Sequence, residues 1–593
     1  MQRHNYQLIY HRLQRTNIRE LIFRIREAYL FFKAKRFVMI GNSIGLPPGA
    51  LLKIKNITFP EFEASFSVQD INHILAGEVF TLNCDRQDIK DFESRWKNVF
   101  CGDVNFSSEN IDIRSVLEPS RLQHLTYLTL CNKKQPDNPK CGEIENFIRT
   151  ALFGWITENP FLIGPHYIST LECALRIHAF AFCLCNIKLS PEKKGILLNT
   201  IYQHAWWVDK RYSLYPAPGN HAIGESLGLL IAGLIFEEIP EGTKWVQKSS
   251  QVLKAEVFRQ IKSDGGPLEG SIYYHFFLVD LFCLAFKLLE LNKNEYHSEV
   301  KKCLRLADRF LSNFNITNTF EHFNDSDNGY AVAPGIFIKR DFTNNRSKAF
   351  NHFPESGYTK VEIKNSWKLL LDHAPLGMPP LYSHGHADAL SIVLSYKGEQ
   401  FLIDPGTYRY FGTKACRDYF RSTRAHNTIE IDGKDQAEQV DNFIWDRPYA
   451  CHCNILNNHG RYVINSQHTG YKRLKEKVIH KRIIELDVRK VRILDQFSGK
   501  GDHVFRMHLH IHPDAQIETC NGYYNISKNG TSVYIYFDNG TSRSIEYYQA
   551  SQVPFLGWCA PCYGRLSQCH TLRITKIGRP QDIVFETIIL RNE

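Results

Sequence analysis

Ser391-Ile-Val-Leu-Ser-Tyr-Lys-Gly-Glu-Gln-Phe-Leu-Ile-Asp404 marks the point where the chain changes its structural period. Two runs rich in β-branched and aromatic residues flank Lys397-Gly398, so the stretch is predicted to be a β-hairpin. Beyond it, short strands are expected at Val478–Leu486, Val491–Phe497, Val504–Ile511, Ser532–Phe537, Ser544–Tyr548 and Ile583–Leu590, with turn signals at Asn529-Gly530 and Asn539-Gly540. Many short strands with such turns predict an antiparallel β-sandwich over residues 350–593. Before the hairpin the period is helical. From about Ile144 to Phe314 apolar residues recur every three to four positions, as in Thr170–Cys185, Ile223–Phe236, Trp245–Ile261, Phe276–Leu291 and Val300–Phe314. Helices of this length joined by short loops predict a domain of antiparallel helical hairpins over 38–340, with 38–140 a mixed entry region and 1–37 a separate basic helix.

Composition supports a multidomain globular chain. Its 593 residues are 43% hydrophobic, 13% aromatic and 23% charged, which excludes disorder, collagen and coiled coil as descriptions of the whole. The longest apolar run, Leu227–Phe236, is half of the roughly 20 residues a spanning helix needs. No apolar segment with a cleavage site follows Arg3, Arg12 and Arg15, so no signal peptide is expected. The default expectation is cytoplasmic, with periplasmic and membrane-peripheral locations as alternatives. Residues 1–36 hold nine Lys/Arg and two Asp/Glu, most of the net charge of +10. Arg12, Arg15, Arg19 and Arg26 fall at helical spacing with Leu21, Ile22, Ile25, Tyr29 and Phe32 between them, which predicts a basic amphipathic helix. Peripheral membrane contact is one reading, and a solvated helix packed on the body is the other. No nucleic-acid module accompanies the charge. Sixteen scattered cysteines do not form a small disulfide scaffold.

Four clusters carry titratable groups. Asn220-His221-Ala-Ile-Gly-Glu225 opens a helix, where Asn220 suits an N-cap and His221 and Glu225 share a face. The same stretch contains Gly224-Glu225-Ser226-Leu227-Gly228, a formal nucleophile elbow. The preceding Tyr215-Pro-Ala-Pro-Gly-Asn220 is a poor central strand, which argues against a serine hydrolase at Ser226. Tyr273-Tyr274-His275 begins another helix and offers a hydroxyl for proton transfer. Ser383-His384-Gly-His386-Ala-Asp388 would place three titratable groups on one face of an extended segment. Asp404-Pro-Gly-Thr-Tyr408 and Arg421-Ser-Thr-Arg424-Ala-His426-Asn427-Thr428 add an aspartate and a further histidine, a donor set for a divalent ion, although simple hairpin register leaves Asp404 distant from His386. Asp325-Ser-Asp327-Asn-Gly329 lacks the later positions of a calcium loop and reads as a turn.

In this order the clusters resemble the heparinase II/III-like polysaccharide lyases, from about Trp155 to Asp435. The resemblance implies an incomplete (α/α) toroid followed by an antiparallel β-sandwich, in agreement with the periodicity. It also implies β-elimination at a uronic acid in an anionic polysaccharide, of heparan, alginate-like or bacterial exopolysaccharide or capsular type. Asn220 would neutralise the carboxylate, with His221 assisting or serving as base for one C5 epimer. Tyr274 would protonate the leaving oxygen, with a second role as base left open, and His384 would be a second base or neutraliser. Glu225 would support the helical side, and Tyr408, Arg421 and Arg424 would contact the sugar. His386, Asp404 and His426 match the family's ligands for a structural metal, zinc. Without an export signal, a link to bacterial exopolysaccharide or capsule metabolism is expected, with a homodimer left open. The alternatives are a non-catalytic carbohydrate-binding protein on the same fold and the serine hydrolase.

Overall fold

The computed structural model describes residues 18–41, 44–78, 86–106, 111–216, 218–314, 319–321, 323–340, 349–458, 460–538 and 543–592. Arg3, Arg12 and Arg15 of the basic segment, and the Asn539-Gly540 turn, lie outside them. The chain forms two compact units. One comprises Met1–Gln260, Phe277–Leu304 and Gly329–Thr343, and the other Ile261–Phe276, Arg305–Asn328 and Asn344–Glu593. Ile261–Phe276 and Arg305–Asn328, which lie inside the expected helical domain 38–340, therefore belong with the strands.

The helical unit carries the expected hairpins of an incomplete toroid, among them Cys141–Glu158, Thr170–Asn186, Pro191–Lys210, Asn220–Ile235 and Pro240–Gln260. Local chemistry sets their starts. Ser169 and Ser190 are N-caps whose hydroxyls accept from the backbone N–H of Glu172 and Lys193, and Pro191 occupies the first turn, where its missing N–H costs nothing. Asn220–Ile235 is buried almost throughout and packs on Thr170–Asn186 and Pro240–Gln260. Gly228 permits this approach, since a Cβ there would lie 2.7 Å from the backbone oxygen of Ala174. The glycines of the Gly-x-Ser-x-Gly match are thus packing residues. Among the described residues, Ile272–Lys293 is long and apolar enough to cross a membrane, and its apolar window is 89% buried in the structure.

Among the described residues, the strand unit holds, beside three two-stranded sheets, two large antiparallel ones. One runs, neighbour to neighbour, through Cys451–Asn458, Arg461–His468, Val478–Leu486, Lys490–Gly499, Val584–Arg591, Thr531–Phe537, Tyr523–Lys528 and Gln516–Cys520. The other runs through Arg543–Gln549, His570–Gly578, His503–Ile511, Glu399–Leu402, Ile392–Tyr396, Trp367–Asp372, Tyr358–Glu362 and Phe350–Phe353, with Ile429–Ile431 paired to His503–Ile511. Residues of both sheets, including Leu371, Leu394, Ile464, Ile484, Ile493, Phe505 and Ile535, form one buried core between them. The alternation in Val478–Leu486 follows the period of two that the sequence shows, whereas Ile392–Tyr396 is buried on both faces.

Candidate active site and metal pocket

The Ser383–Asp388 stretch is not a strand. It is an irregular loop, and a tight turn closes it: Ser391 donates to the Asp388 carbonyl at 2.9 Å, and Leu390 takes a left-handed φ of 65°. Gly385 is required within it, because a Cβ would run into the Leu376 carbonyl. Trp445 Nε1 donates to the Gly385 oxygen at 2.7 Å and the Tyr449 hydroxyl to the His386 oxygen at 3.0 Å. The loop is therefore held by its backbone, which leaves both histidine rings to other tasks.

Both rings meet Asp325. His384 Nδ1 lies 3.2 Å from Asp325 Oδ2, and His386 Nε2 lies 3.0 Å from Oδ1. Arg417 forks onto the same carboxylate at 2.5 and 2.8 Å. Burial opposes the charge on Asp325, but Arg417 and the two imidazoles outweigh it and hold its carboxyl well below the usual range. The 325–329 turn is thus the anchor of the site rather than a plain connection. Burial also works against a charged His384, yet the hydrogen bond to Asp325 and the carboxylates of Glu269, Asp325 and Asp327 raise its pKa above the ordinary value.

Tyr274 completes this constellation. Its ring stacks on His384 at 4.0 Å between centroids. Its hydroxyl donates to Asp327 Oδ2 at 2.6 Å and meets the Tyr410 hydroxyl at 3.0 Å. Ser271 positions it from below, accepting from the Tyr274 N–H at 3.0 Å while donating to the Asp325 carbonyl. A phenol and an imidazole in van der Waals contact, each gripped by its own carboxylate, can give and take two protons at neighbouring points of one bound molecule. Asp325, Asp327, Tyr410 and Arg417 are the members that sequence reasoning missed.

Behind this pair is a buried pocket. Donor atoms of His386, Asp388 and His426 lie within 4.8 Å of one another. His386 Nδ1, His426 Nε2, Asp388 Oδ2 and Asp372 Oδ2 are buried without a hydrogen-bond partner. Burial, then the neighbouring carboxylates, pushes Asp388 well above the ordinary carboxylate range, and Asp372 is pushed up to about 8. Burial holds His386 down to about 4, as a neutral ligand nitrogen. Orphaned nitrogen and oxygen atoms beside crowded carboxylates fit a divalent cation such as zinc. Asp404 stands differently from its expected ligand position. Its Oδ2 meets His426 Nδ1 at 2.9 Å, on the ring atom other than the orphaned Nε2, and its Oδ1 accepts from Gly406 N–H. This is the place of a carboxylate that orients a ligand histidine. Asn427 explains much of its motif: its amide donates to the Ile392 and Ile403 carbonyls at 2.7 and 2.8 Å, and Arg482 donates to the carbonyls of Asn427 and Leu390.

The remaining expected residues fall elsewhere. Arg421 is fully buried against Trp445 at 4.5 Å, so it lies in the interior and not where it would touch a polymer. Tyr408, with a φ of 63°, and Arg424 are half-buried beside Phe420 and Tyr419. In the helical unit, Asn220 is buried at the first helical position and Gly219, not Asn220, is the N-cap. His221 is exposed. Glu225 does not pair with it, because its carboxylate is buried and accepts from Thr170 Oγ1, Ser213 N and Ser213 Oγ at 2.5, 2.7 and 2.7 Å. Ser226 is buried in mid-helix, bonded to the Ala222 carbonyl and the Tyr212 hydroxyl, with no strand before it. The nucleophile-elbow reading fails on that geometry.

A sandwich loop that binds a tyrosine–histidine pair above a buried His/Asp pocket, in a chain that also builds a helical toroid, is a recognisable kind of protein. Family models for the Heparinase II/III N-terminus and for Heparinase II/III-like, C-terminal match residues 153–355 and 345–574, so the chain belongs to the heparinase II/III-like family. A heparin-sulfate lyase of Bacteroides stercoris is 23% identical over 460 residues, covering 72% of this chain and 63% of its own length. One of Pedobacter heparinus is 26% identical over 265 residues, covering 40% of this chain and 39% of its own. The chain thus spans less than two thirds of the length of these curated relatives. A crystal structure of heparinase III is similar in fold, with a TM-score of 0.69 at 18% identity, covering 95% of this chain and 91% of that one.

Proposed function

We propose that the protein is a polysaccharide lyase that cleaves a uronic-acid-containing anionic polysaccharide by β-elimination. The observation that carries this reading is the Tyr274–His384 stack, with Asp327 on the phenol and Asp325 on the imidazole. Elimination needs a base for the C5 proton, an acid for the departing O4, and neutralisation of the carboxylate that acidifies C5. His384 takes the C5 proton, and Asp325 stabilises the imidazolium that forms. The freed electron pair becomes the C4=C5 double bond as the C4–O bond breaks. Tyr274 passes its proton to the leaving oxygen, with Asp327 and Tyr410 orienting the hydroxyl. Asn220 neutralises the uronate carboxylate with His221 assisting, Glu225 supports that side, and Tyr408 and Arg424 contact the sugar. These last roles rest on the family resemblance.

His386, His426 and Asp388 would hold a divalent metal, with Asp404 orienting His426. Bound there, it would supply positive charge against the crowded carboxylates and tie the His384 loop to the sandwich. Heparan-type glycosaminoglycans come first among substrates because the relatives are named for them, and a bacterial exopolysaccharide or capsule is the second choice. The test is ultraviolet absorbance of the unsaturated uronate over a panel of glycosaminoglycans, polyuronates and bacterial exopolysaccharides, with Tyr274→Phe and His384→Ala alongside. A rise that both variants abolish supports the lyase. Glycan-array binding without any rise, at full metal loading, would point instead to a carbohydrate-binding protein on the same fold.

A further inference from the structure

The basic N-terminal helix, Ile18–Met39, presents two faces that differ in partner. Its inner face packs on the helical unit. Phe31 meets Trp207 edge-on at 5.5 Å, Phe23 meets Tyr215 at 5.3 Å, Ala34 is buried, and Arg211 donates to Glu27 at 3.2 Å. Its outer face is apolar yet open. Ile18, Leu21, Ile22, Ile25, Tyr29, Phe32 and Met39 are 45–70% exposed. Isolated exposed apolar residues need no explanation, but seven on one helix form a continuous strip that water does not favour.

The charges say what covers the strip. Exposed Arg19, Arg26 and Lys33 recur every seven residues along one flank, and exposed Arg36 continues the line between Phe32 and Met39. None of these four has an acidic partner among the described residues. The two acids of the helix are engaged at its inner side: Glu20 is buried, and Glu27 serves Arg24 and Arg211. The 4–3 spacing of Ile18, Ile22, Ile25, Tyr29 and Phe32 would also suit a second copy of the helix. That pairing would set Arg19, Arg26 and Lys33 against like charges with no acid on the outer face to balance them. Residues 1–17 carry Arg3, Arg12 and Arg15 and no acid, so they are equally mismatched as a cover. An apolar strip bordered by unpaired cations fits an interface with acyl chains below and phosphates at its edge. Beside it opens a recess of about 710 Å³ with an apolar wall of Tyr29, Leu30, Phe37 and Trp206 and charged groups that include Arg26 and Lys33.

We infer that the helix Ile18–Met39 docks the protein on an anionic lipid bilayer through this strip. The inference is independent of the lyase reading, since it uses none of the residues placed in that site. The full chain is sedimented with vesicles of phosphatidylcholine, alone or mixed equally with phosphatidylglycerol, over a range of salt. Binding is expected to the mixed vesicles, weakening as salt rises. Arg19→Glu/Arg26→Glu/Lys33→Glu should lower vesicle affinity by roughly a hundredfold, given the strength of single cations at such surfaces. Ile25→Asp/Phe32→Asp should lower it comparably, with the melting temperature unchanged because both side chains are exposed. Hydrogen exchange on the unaltered protein gives a readout free of any variant: amides of 18–39 should gain protection when mixed vesicles are added. Three outcomes overturn the inference: no phosphatidylglycerol-dependent binding at low salt, binding that survives both variants, or a dimer in sedimentation velocity that Ile25→Asp/Phe32→Asp dissolves.

Discussion

The helical unit presents its candidate residues on a regular helix, whereas the strand unit presents its own on irregular backbone. Asn220, His221 and Glu225 occupy the first turns of Asn220–Ile235, where helical spacing sets the backbone, although His221 is exposed and Glu225 is buried with Thr170 and Ser213 as partners. His384, His386 and Asp388 sit in a loop whose shape is set by Leu376 and by Asn324, Trp445 and Tyr449, the last three far away in the chain. Periodicity therefore fixes the element in the first region, though not the partner of Glu225, and misleads on the backbone itself in the second. Around the strand-unit site Tyr382, Leu390 and Tyr408 take positive φ, at about 1–3 kcal/mol for each such residue, and Asn324 and Asn328 do so at less cost. A site built this way depends on its supports more than one built on a helix, and that difference is open to test.

The largest effect should come from Tyr274→Phe. Removing one hydroxyl leaves the ring on His384 and the fold unchanged, but takes away the proton for the leaving oxygen. Uronate formation should fall by about 10²- to 10⁴-fold, while the lost bonds to Asp327 and Tyr410 lower stability by only about 1–3 kcal/mol and leave the protein folded. A loss of less than a few-fold would remove Tyr274 from the chemistry.

Asp325→Ala attacks the supports of the same region. It leaves Arg417 buried and uncompensated and frees both histidines, so unfolding free energy should drop by about 3–5 kcal/mol in denaturant melts, with activity lost as well. The sign with pH follows from the carboxyl's lowered pKa. The Asp325 contribution is present above the unfolded carboxylate value and fades as pH falls below it, so the gap between the parent protein and the variant should narrow in acid. A constant gap would mean that packing, not charge, accounts for the loss.

These two residues also show what the chain reveals of itself. Most strands from Val478 onward, and helices such as Thr170–Asn186, agree with the periodicity within a few residues, because burial on one face imposes a local pattern. Tyr274, His384, His386 and His426 stand in motifs and were legible as candidates. Asp325 was not, because it becomes the anchor only through Arg417, 92 residues later, and nothing local distinguishes it from a turn aspartate. Asp404 was legible as an acidic member of the metal set, but that it meets His426 at Nδ1 is a contact across 22 residues that no local pattern announces. Arg421 sits in a motif yet is interior, since burial is decided by Trp445 and not by its neighbours in sequence.

The helical region offers a smaller effect of opposite sign. Burial raises the Glu225 pKa to about 7 from a reference of 4.5, despite the bonds from Ser213 and Thr170. Between those values the folded protein keeps a proton that the unfolded chain has released, so stability should fall as pH rises through the window, by up to ~1.4 kcal/mol per pH unit. Glu225→Gln should flatten that slope while leaving the acid limb governed by Asp325 in place. Melts of the two proteins from pH 4 to 8 check this, and parallel curves would show that Glu225 ionises in the folded state as freely as in the unfolded one.

Ser226→Ala should have the smallest effect and closes the comparison. The hydroxyl is buried one turn past Ala222, bonds that residue's carbonyl, and meets Tyr212; its flanking glycines exist to let Leu171 and Ala174 approach. A backbone carbonyl in mid-helix keeps its helical hydrogen bond when the serine is lost, so the cost is confined to the Tyr212 hydroxyl, about 1 kcal/mol. Uronate formation should be unchanged, and a serine-directed phosphonate should fail to label either protein. Labelling of the parent but not of Ser226→Ala would mean that the helix opens to expose a nucleophile. The regular region would then be the one whose function its periodicity conceals.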